Sequence, residues 1–233
     1  MIIALDHLEI GGSAAAYETL LGRRATDGRL RTGNVGLTFS QGEAGLRSMT
    51  FAASDLGKAA TLLERRAVPV TRESDALTLT GHGVPLRLSA PSVDATSSFT
   101  DDETGCVSGL DHVVVRTPNP ERAIAFYAGR LGLDLRLDRS NPQWGARLLF
   151  FRCGDLVVEI AHNLKKGVSD GPDHLWGLSW RVPDIAKANA RLKAAGIEVS
   201  DPRDGRRPGS QVFTVKNRTE GVPTIVIGGI GRW

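Results

Sequence analysis

A histidine and a glutamate, each set in an apolar segment, are the residues of this sequence best suited to chemistry. Glu159 lies in the apolar run 156–161, and because a buried carboxylate without a partner is costly, it requires a cation, an arginine or water beside it. His112 opens the apolar run 112–115, and an imidazole with a carboxylate is a good ligand pair for Zn, Mn, Fe, Co or Ni. The pair predicts a divalent-metal site in which Glu159 is also the catalytic residue that moves protons. The alternative is a solvated Glu159 and a hydrogen-bonded strand histidine.

Two further histidines lie close enough in the sequence to supply a third ligand. His162 follows Glu159 by three residues, and odd spacing on a strand sends two side chains to opposite faces, which counts against it. His174 lies in the loop before the next apolar run, where this alternation does not apply. His174 is therefore the third metal ligand that we consider, and a surface histidine is the alternative.

Four other residues are candidates for the lining of a substrate pocket. Arg87 interrupts an apolar run, so it would attract a carboxylate or enolate oxygen if it pointed inward, or snorkel if it pointed outward. Trp176 and Trp180 have even spacing and could share one strand face in an aromatic-compatible pocket, or lie in the core. Phe150, in the apolar run before Glu159, is the fourth. The basic segment 201–209 could cover an anionic substrate or simply be solvated.

Composition places the chain among globular proteins and excludes several classes. The 233 residues are 41% hydrophobic, 24% charged and 6% aromatic, with a formal charge of +3, which disfavours disorder, and no apolar run is long enough to span a bilayer. The charge is nearly balanced and aromatic residues are few, so neither nucleic acid nor a membrane is expected as a partner. Two cysteines without a metal-binding spacing favour a reducing cytoplasm. The expected partner is a small molecule, with a homodimer left open.

The sequence repeats itself, and the repeat predicts the domain organisation. Leu-Asp-His occurs at residues 5–7 and again at 110–112, and Gly-Val-Pro occurs at 83–85 and again at 221–223. Between these two motifs, Tyr17 is followed by Leu21-Gly22, just as Tyr127 is followed by Leu131-Gly132 in the second copy. We therefore expect two domains, residues 1–90 and 109–233, joined by a linker over residues 91–108 that is rich in Ser, Thr and Asp.

Each domain divides again into two units with the element order βαβββ. In the third unit, Asn119-Pro120-Glu121 supplies an N-cap, a first-turn proline and a first-turn acid, and the helix ends at Gly132. Strands are expected at 133–137, 148–152 and 156–161. The fourth unit repeats the order with strands at 178–182, 197–199, 211–215 and 224–227, and with a helix that begins after Pro183-Asp184 and ends at Gly196.

This order, with the helix sequence of residues 123–132 and the preceding Leu110-Asp111-His112, resembles the vicinal oxygen chelate superfamily. That superfamily includes glyoxalase I, extradiol ring-cleaving dioxygenases, fosfomycin-resistance enzymes and bleomycin-resistance proteins. The resemblance implies an α+β fold in which four βαβββ units form two tandem glyoxalase-like domains with cupped mixed sheets. It also implies a divalent metal in a cup, with ligands from the first and fourth strands of each unit.

Only some of the ligand positions implied by this resemblance carry a ligand. In the third unit they are His112 and Glu159, both of the family's ligand type, whereas in the fourth unit they fall near Gly177 and Ile225. In the first domain the positions are His7, Thr38, Ser48 and Arg87. The first domain is therefore expected to be mainly structural.

Two functions of different classes follow. The first is a metal-dependent small-molecule enzyme of the lyase or isomerase type, in which the metal chelates substrate oxygens and stabilises an enolate or oxyanion. Gly177 and Ile225 count against an extradiol dioxygenase, because such enzymes need ligands at both positions. The second function is metal-free binding and sequestration of a small molecule, as in bleomycin-resistance proteins.

Overall fold

The first half of the protein forms one mixed seven-stranded sheet. The computed structural model describes residues 1–92 and 105–229, so most of the expected linker, residues 93–104, lies outside the described residues. The elements of the first sheet are β1 (Ile2–Gly11), α1 (Ala14–Leu21), β2 (Arg29–Arg31), β3 (Gly36–Ser40), β4 (Gly45–Ala53), α2 (Leu56–Arg65), β5 (Thr71–Arg72), β6 (Ala76–Gly81) and β7 (Val84–Ser89). Their strand order is β2-β3-β1-β4-β7-β6-β5.

The second half forms an eight-stranded sheet with the same plan. Its elements are β8 (Gly109–Arg116), α3 (Pro120–Ile124), β9 (Asp134–Asn141), β10 (Ala146–Cys153), β11 (Leu156–Asn163), β12 (His174–Arg181), α4 (Ile185–Ala194), β13 (Arg203–Asp204), β14 (Gln211–Val215) and β15 (Thr224–Gly228). The strand order is β13-β14-β15-β12-β8-β11-β10-β9. Each sheet therefore joins two consecutive units, and the predicted α+β fold of tandem domains is confirmed, with one difference: among the described residues, the first unit has two strands after α1 rather than three.

The helices begin where the sequence places their caps. The Asn119 side chain accepts a hydrogen bond from the N–H of Arg122, and Pro120 occupies the first turn of α3. A π-helical stretch, Ala125–Arg130, continues α3, and the segment ends at Gly132, whose φ is +78°. In α4, Asp184 caps in the same way by accepting from the N–H of Lys187.

Two local predictions are wrong. Residues 197–199 form no strand: Val199 makes one isolated bridge to Val215, and the paired strand is Arg203–Asp204. Pro202 lies between Val199 and Arg203 and has no backbone N–H, so strand hydrogen bonds cannot continue without interruption from one to the other. His174, predicted in a loop, is the first residue of β12.

The core lies between the sheets and their helices. Alternate residues of the central strands, such as Leu8 and Val113, are completely buried in one apolar cluster that also contains Tyr17 of α1 and Ala123 of α3. Hydrogen bonds also join the two halves of the chain, since Arg191 of α4 donates to the carbonyls of Thr19 and Leu20 at the end of α1. No helix among residues 1–92 and 105–229 has the length and apolarity needed to cross a membrane.

Candidate functional site

The Leu-Asp-His repeat forms the same irregularity in both sheets. Asp111 is skipped in the pairing of β8 with β12, and Asp6 is skipped in the pairing of β1 with β4. Such a β-bulge redirects side chains that would otherwise alternate between the two faces. The bulge allows Asp111, the residue next to His112, to reach its ring.

His112 lies between two carboxylates. Its Nδ1 is 2.8 Å from Oδ2 of Asp111, and its Nε2 is 3.5 Å from Oε2 of Glu159. The strand register explains the second contact: Val157 pairs directly with His112, so Glu159, two residues further along β11, points from the same face of the sheet. We call this side of the eight-stranded sheet the site face. The His112 and Glu159 side chains are 14% and 12% exposed.

The electrostatics of the pair favour positive charge at Nε2 of His112. Burial by itself lowers the pKa of His112, but the hydrogen bond to Asp111 and the charges of Glu159 and Asp111 outweigh it, so the pKa lies above 6.5. With the Nδ1–H group donating to Asp111, the Nε2 lone pair of the neutral ring faces the Glu159 carboxylate, and this repulsion is relieved by a proton on Nε2 or by a metal cation between the two groups. A histidine that binds a metal commonly donates its other ring N–H to a carboxylate, as His112 does to Asp111. His112 and Glu159 therefore offer two donor atoms that a divalent cation could share.

The structure does not bring a third ligand to this pair. Residues 1–92 and 105–229 contain no group of three His, Cys, Asp or Glu side chains able to hold a metal. His174 is exposed and pairs with Arg116, four residues and about 13 Å along β8 from His112. His162 is buried, and its Nδ1 contacts the carbonyl of Thr117.

The two remaining positions implied by the resemblance lie beside His112 but carry no ligand. Ser179 pairs with His112 across β12, and Ile225 pairs with Ser179 across β15. Gly177, two residues before Ser179, has no room for a side chain, because a Cβ there would lie 2.7 Å from the carbonyl oxygen of Pro223. That oxygen accepts a hydrogen bond from the N–H of Leu178, so it cannot move freely.

Two of the predicted pocket residues lie on or beside the site face. Phe150 is half-buried and pairs directly with Glu159. Trp176 lies at a register shift in β12, is 37% exposed, and has the guanidinium of Arg116 4.0 Å from its ring centroid.

The structure does not bring the other two pocket candidates to the site face. Trp180 is completely buried in the core cluster, because the register shift at Trp176 breaks the even spacing from which a shared face was inferred. Arg87 lies in the other sheet, where its Nη2 forms an ion pair with Glu73 at 2.8 Å.

Sequence reasoning missed two features of the site. Asp111 belongs to the repeated motif, but neighbours on a regular strand face opposite ways, so only the bulge reveals its role. The other feature is an aromatic contact of the basic segment 201–209: the guanidinium carbons of Arg206 and Arg139 lie 4.4 Å and 4.9 Å from the ring centroid of Trp144. Arg206 is close enough for its charge to oppose protonation of His112. The basic composition of residues 201–209 is the sequence signal that could have pointed to a role for this segment at the site.

Comparison with known proteins gives one matching family model and two relatives by sequence. Residues 109–221 match the model of the Glyoxalase/Bleomycin resistance protein/Dioxygenase superfamily. An ethylmalonyl-CoA/methylmalonyl-CoA epimerase of Cereibacter sphaeroides is 28% identical over 103 residues, which are 40% of this chain and 75% of that protein. The mitochondrial methylmalonyl-CoA epimerase of Homo sapiens is 33% identical over 89 residues, 35% of this chain and 51% of its own length.

Solved structures resemble the whole chain. The Mn(II)-bound glyoxalase of Novosphingobium aromaticivorans has a TM-score of 0.74 and 14% identity, covering 99% of this chain and 83% of that chain. The 2,2',3-trihydroxybiphenyl 1,2-dioxygenase of Sphingomonas wittichii strain RW1 has a TM-score of 0.73 and 18% identity, covering 100% and 92%. These similarities show the fold alone. Residues 109–221 therefore resemble a domain of the Glyoxalase/Bleomycin resistance protein/Dioxygenase superfamily, and the chain as a whole shares the fold of these two solved structures.

Proposed function

We propose that this protein is a metal-dependent enzyme of the isomerase or lyase type, which stabilises an enolate or oxyanion of a small carbonyl compound at His112 and Glu159. The environment of one imidazole carries the proposal. Asp111 holds Nδ1 of His112, and Nε2 faces the Glu159 carboxylate at 3.5 Å, an arrangement that a bound cation would complete.

Each residue of the site has a role in this proposal. His112 and Glu159 would hold the divalent metal, which supplies a Lewis acid for two substrate oxygens when it is bound. Asp111 fixes the ring and its tautomer, and Glu159 is the carboxylate that removes and returns a proton. Because both side chains are largely buried, charge interactions at this place are screened less than they would be in water.

The substrate that we propose is a small acid whose reacting carbon lies beside a carbonyl group. Both relatives are named as epimerases of malonyl-type thioesters, and epimerisation of such a compound needs removal of the proton on the carbon between its two carbonyl groups and delivery of a proton to the opposite face of the resulting enolate. Arg206 and Arg139, stacked on Trp144, provide positive charge for the carboxylate of such a substrate.

Metal retention is the first test of this function. After loading with Mn²⁺, Co²⁺, Ni²⁺ or Zn²⁺ and dialysis, the protein should keep about one ion per chain, measured by elemental analysis. His112→Ala and Glu159→Ala should lose that ion, whereas His174→Ala, a matched control on an exposed strand end, should keep it. Absence of any retained ion from the unmutated protein would overturn the proposal.

Proton exchange is the second test. Methylmalonyl-CoA incubated in D₂O with the metal-loaded protein should gain deuterium at the carbon between its carbonyl groups, as mass spectrometry would show. Asp111→Asn should slow this exchange while the carboxylate of Glu159 remains in place. Metal retention without exchange would argue for another carbonyl substrate.

The incomplete ligand set favours a second candidate function, metal-free small-molecule binding of the bleomycin-resistance type. Its supporting observation is Gly177, where the backbone of Pro223 leaves no space for a ligand side chain. A ligand that raises the melting temperature equally with and without EDTA would support this candidate. Loss of the shift in EDTA would support the enzyme.

A further inference from the structure

A row of polar residues crosses the first sheet on the face that corresponds to the site face. The strand register pairs Arg31 with Gly36, Gly36 with His7, His7 with Thr50, and Thr50 with Arg87. Residues that pair directly point from the same face, so this row, named here the polar row, lies on one side of the sheet.

The other side of these strands is the core. Three leucines that directly neighbour members of the polar row in the sequence are completely buried in the apolar cluster: Leu30, Leu37 and Leu8. Because side chains alternate along a strand, the polar row is on the side away from the core. Its members His7, Arg31, Thr50 and Arg87 are all partly exposed.

His7 differs from its repeat partner His112 in having an unused ring nitrogen. Its Nε2 is buried and has no hydrogen-bond partner among the described residues. The preceding acid does not orient the ring, because Asp6 instead accepts hydrogen bonds from the hydroxyl and the N–H of Ser92. A buried polar atom without a partner costs free energy, so a ligand that contacts Nε2 would be favoured.

Because Gly36 has no side chain, the guanidinium of Arg31 can approach the ring of His7. A Cβ at residue 36 would lie 2.6 Å from Nδ1 of His7 and 3.3 Å from Nη1 of Arg31, so the imidazole and the guanidinium both lie over the bare glycine. Arg29, two residues before Arg31, points from the same face. Burial, with the charges of Arg29 and Arg31, lowers the pKa of His7 against the opposing charges of Asp6 and Glu9, so both guanidinium groups lie near the ring.

The charge of this face is unbalanced. Over residues 1–92 and 105–229, neither Arg29 nor Arg31 forms an ion pair, whereas Arg87 is neutralised by Glu73 at 2.8 Å. The acid nearest to the polar row on this face is Glu9, two residues beyond His7, and its carboxylate accepts a hydrogen bond from Ser48 at 3.0 Å. Among the described residues of this face, two arginines without ion pairs therefore stand against the one carboxylate of Glu9, while Asp6, whose charge raises the pKa of His7, is bonded to Ser92.

We propose that the polar row is a second, metal-independent ligand site that binds the carboxylate or phosphate group of a small molecule. Arg31 and Arg29 would donate charged hydrogen bonds to the oxyanion. The neutral imidazole of His7 would donate one more, and the Thr50 hydroxyl would lie beside it. The site is in the sheet that does not contain His112, so it does not depend on the enzymatic function proposed above.

Binding of two probe anions tests this site. Inorganic phosphate and malonate are titrated into EDTA-treated protein by isothermal calorimetry at constant ionic strength, and at least one should bind saturably. Arg31→Met should weaken that binding about ten- to a hundredfold. Arg72→Met is the matched control, because Arg72 lies on the far edge strand β5 and pairs with Glu64, so binding should be unchanged.

A second readout guards against a general charge effect. In ¹⁵N-detected histidine spectra, the probe should shift the ring signals of His7, identified by their absence from His7→Gln, and leave those of His112 in place. Response to phosphate alone would identify a phosphate ester as the ligand class, and response to malonate alone a carboxylate. The proposal is overturned if neither anion binds, or if Arg31→Met and Arg72→Met bind equally well. EDTA keeps these results separate from the metal tests.

Discussion

Asn34, in the first half of the protein, hydrogen-bonds to both backbone groups of Leu110 in β8. Its Nδ2 donates to the Leu110 carbonyl at 2.8 Å, and its Oδ1 accepts from the Leu110 N–H at 2.8 Å. The same amide donates to Asp155 at 2.9 Å. Asn34 thus acts as an additional strand partner two residues before His112, and it joins the first domain to the strand that carries the candidate site.

Replacement of Asn34 by Ala should destabilise the protein through this junction. It leaves a paired N–H and C=O of β8 without their partner, so we expect the free energy of unfolding to fall by about 1–3 kcal/mol, measured by urea denaturation. Gln143→Ala, which removes an exposed amide in the β9–β10 turn, should have little effect. Equal stability of both variants would contradict this account of the junction.

Asp111 should control metal affinity without being a ligand. Asp111→Asn keeps the shape of the side chain but weakens its hold on Nδ1 of His112, so metal affinity should fall about 10- to 100-fold, measured by competition with a chelator of known affinity. Asp6→Asn alters the repeat partner of Asp111, which bonds to Ser92, and should leave metal affinity unchanged. Unchanged affinity in Asp111→Asn would refute the positioning role.

Gly177 should tolerate no side chain. In Gly177→Ala the new Cβ would lie 2.7 Å from the Pro223 carbonyl oxygen, so β15 must shift, and we expect a loss of about 1–3 kcal/mol. Gly129→Ala is the control, because a Cβ there meets nothing within 4 Å, and in a helix it should stabilise by about 0.5–1 kcal/mol. Thermal unfolding of both variants provides the measurement, and a neutral Gly177→Ala would show that the strand can yield.

The pH dependence of stability should include a contribution from His7. Its pKa lies below 6.5 because burial, with Arg29 and Arg31, disfavours the charged ring more than Asp6 and Glu9 favour it. The unfolded chain therefore takes up a proton first as pH falls, so this contribution to stability is present above about pH 6.5 and is lost below it. His7→Gln should flatten the dependence of the unfolding free energy between pH 7 and pH 5, whereas Thr50→Ser should keep the original slope. Parallel curves for His7→Gln and the unmutated protein would contradict the assignment.

Cys153 should be unreactive in the native state. It is buried, and burial with the nearby charge of Asp155 raises the pKa of its thiol to about 12, so at pH 8 about one molecule in ten thousand holds a thiolate. In a Cys106→Ala background, Ellman's reagent should label Cys153 only after urea unfolding. Rapid labelling of folded protein would show that β10 opens.

The parts of the fold that depend on local sequence could be predicted, and those that depend on strand pairing could not. The cap at Asn119 and the stop at Gly132 are set by neighbouring residues, so α3 and its π-helical continuation begin and end where expected. The opposite facing of Glu159 and His162 also follows from simple alternation. The skipped residue Asp111 and the register shift at Trp176 are determined by the partner strand, which a single sequence does not specify.

The repeated bulge has a consequence for redesign of this scaffold. In both domains the acid of Leu-Asp-His is available to any neighbour that can reach it, and in the first domain the hydroxyl of Ser92 has taken it. Removing that hydroxyl would leave Oδ2 of Asp6 without its partner, while Oδ1 still accepts from the N–H of Ser92. A single substitution at residue 92 is therefore the change that would expose the acid of the first domain as a free side-chain acceptor next to His7.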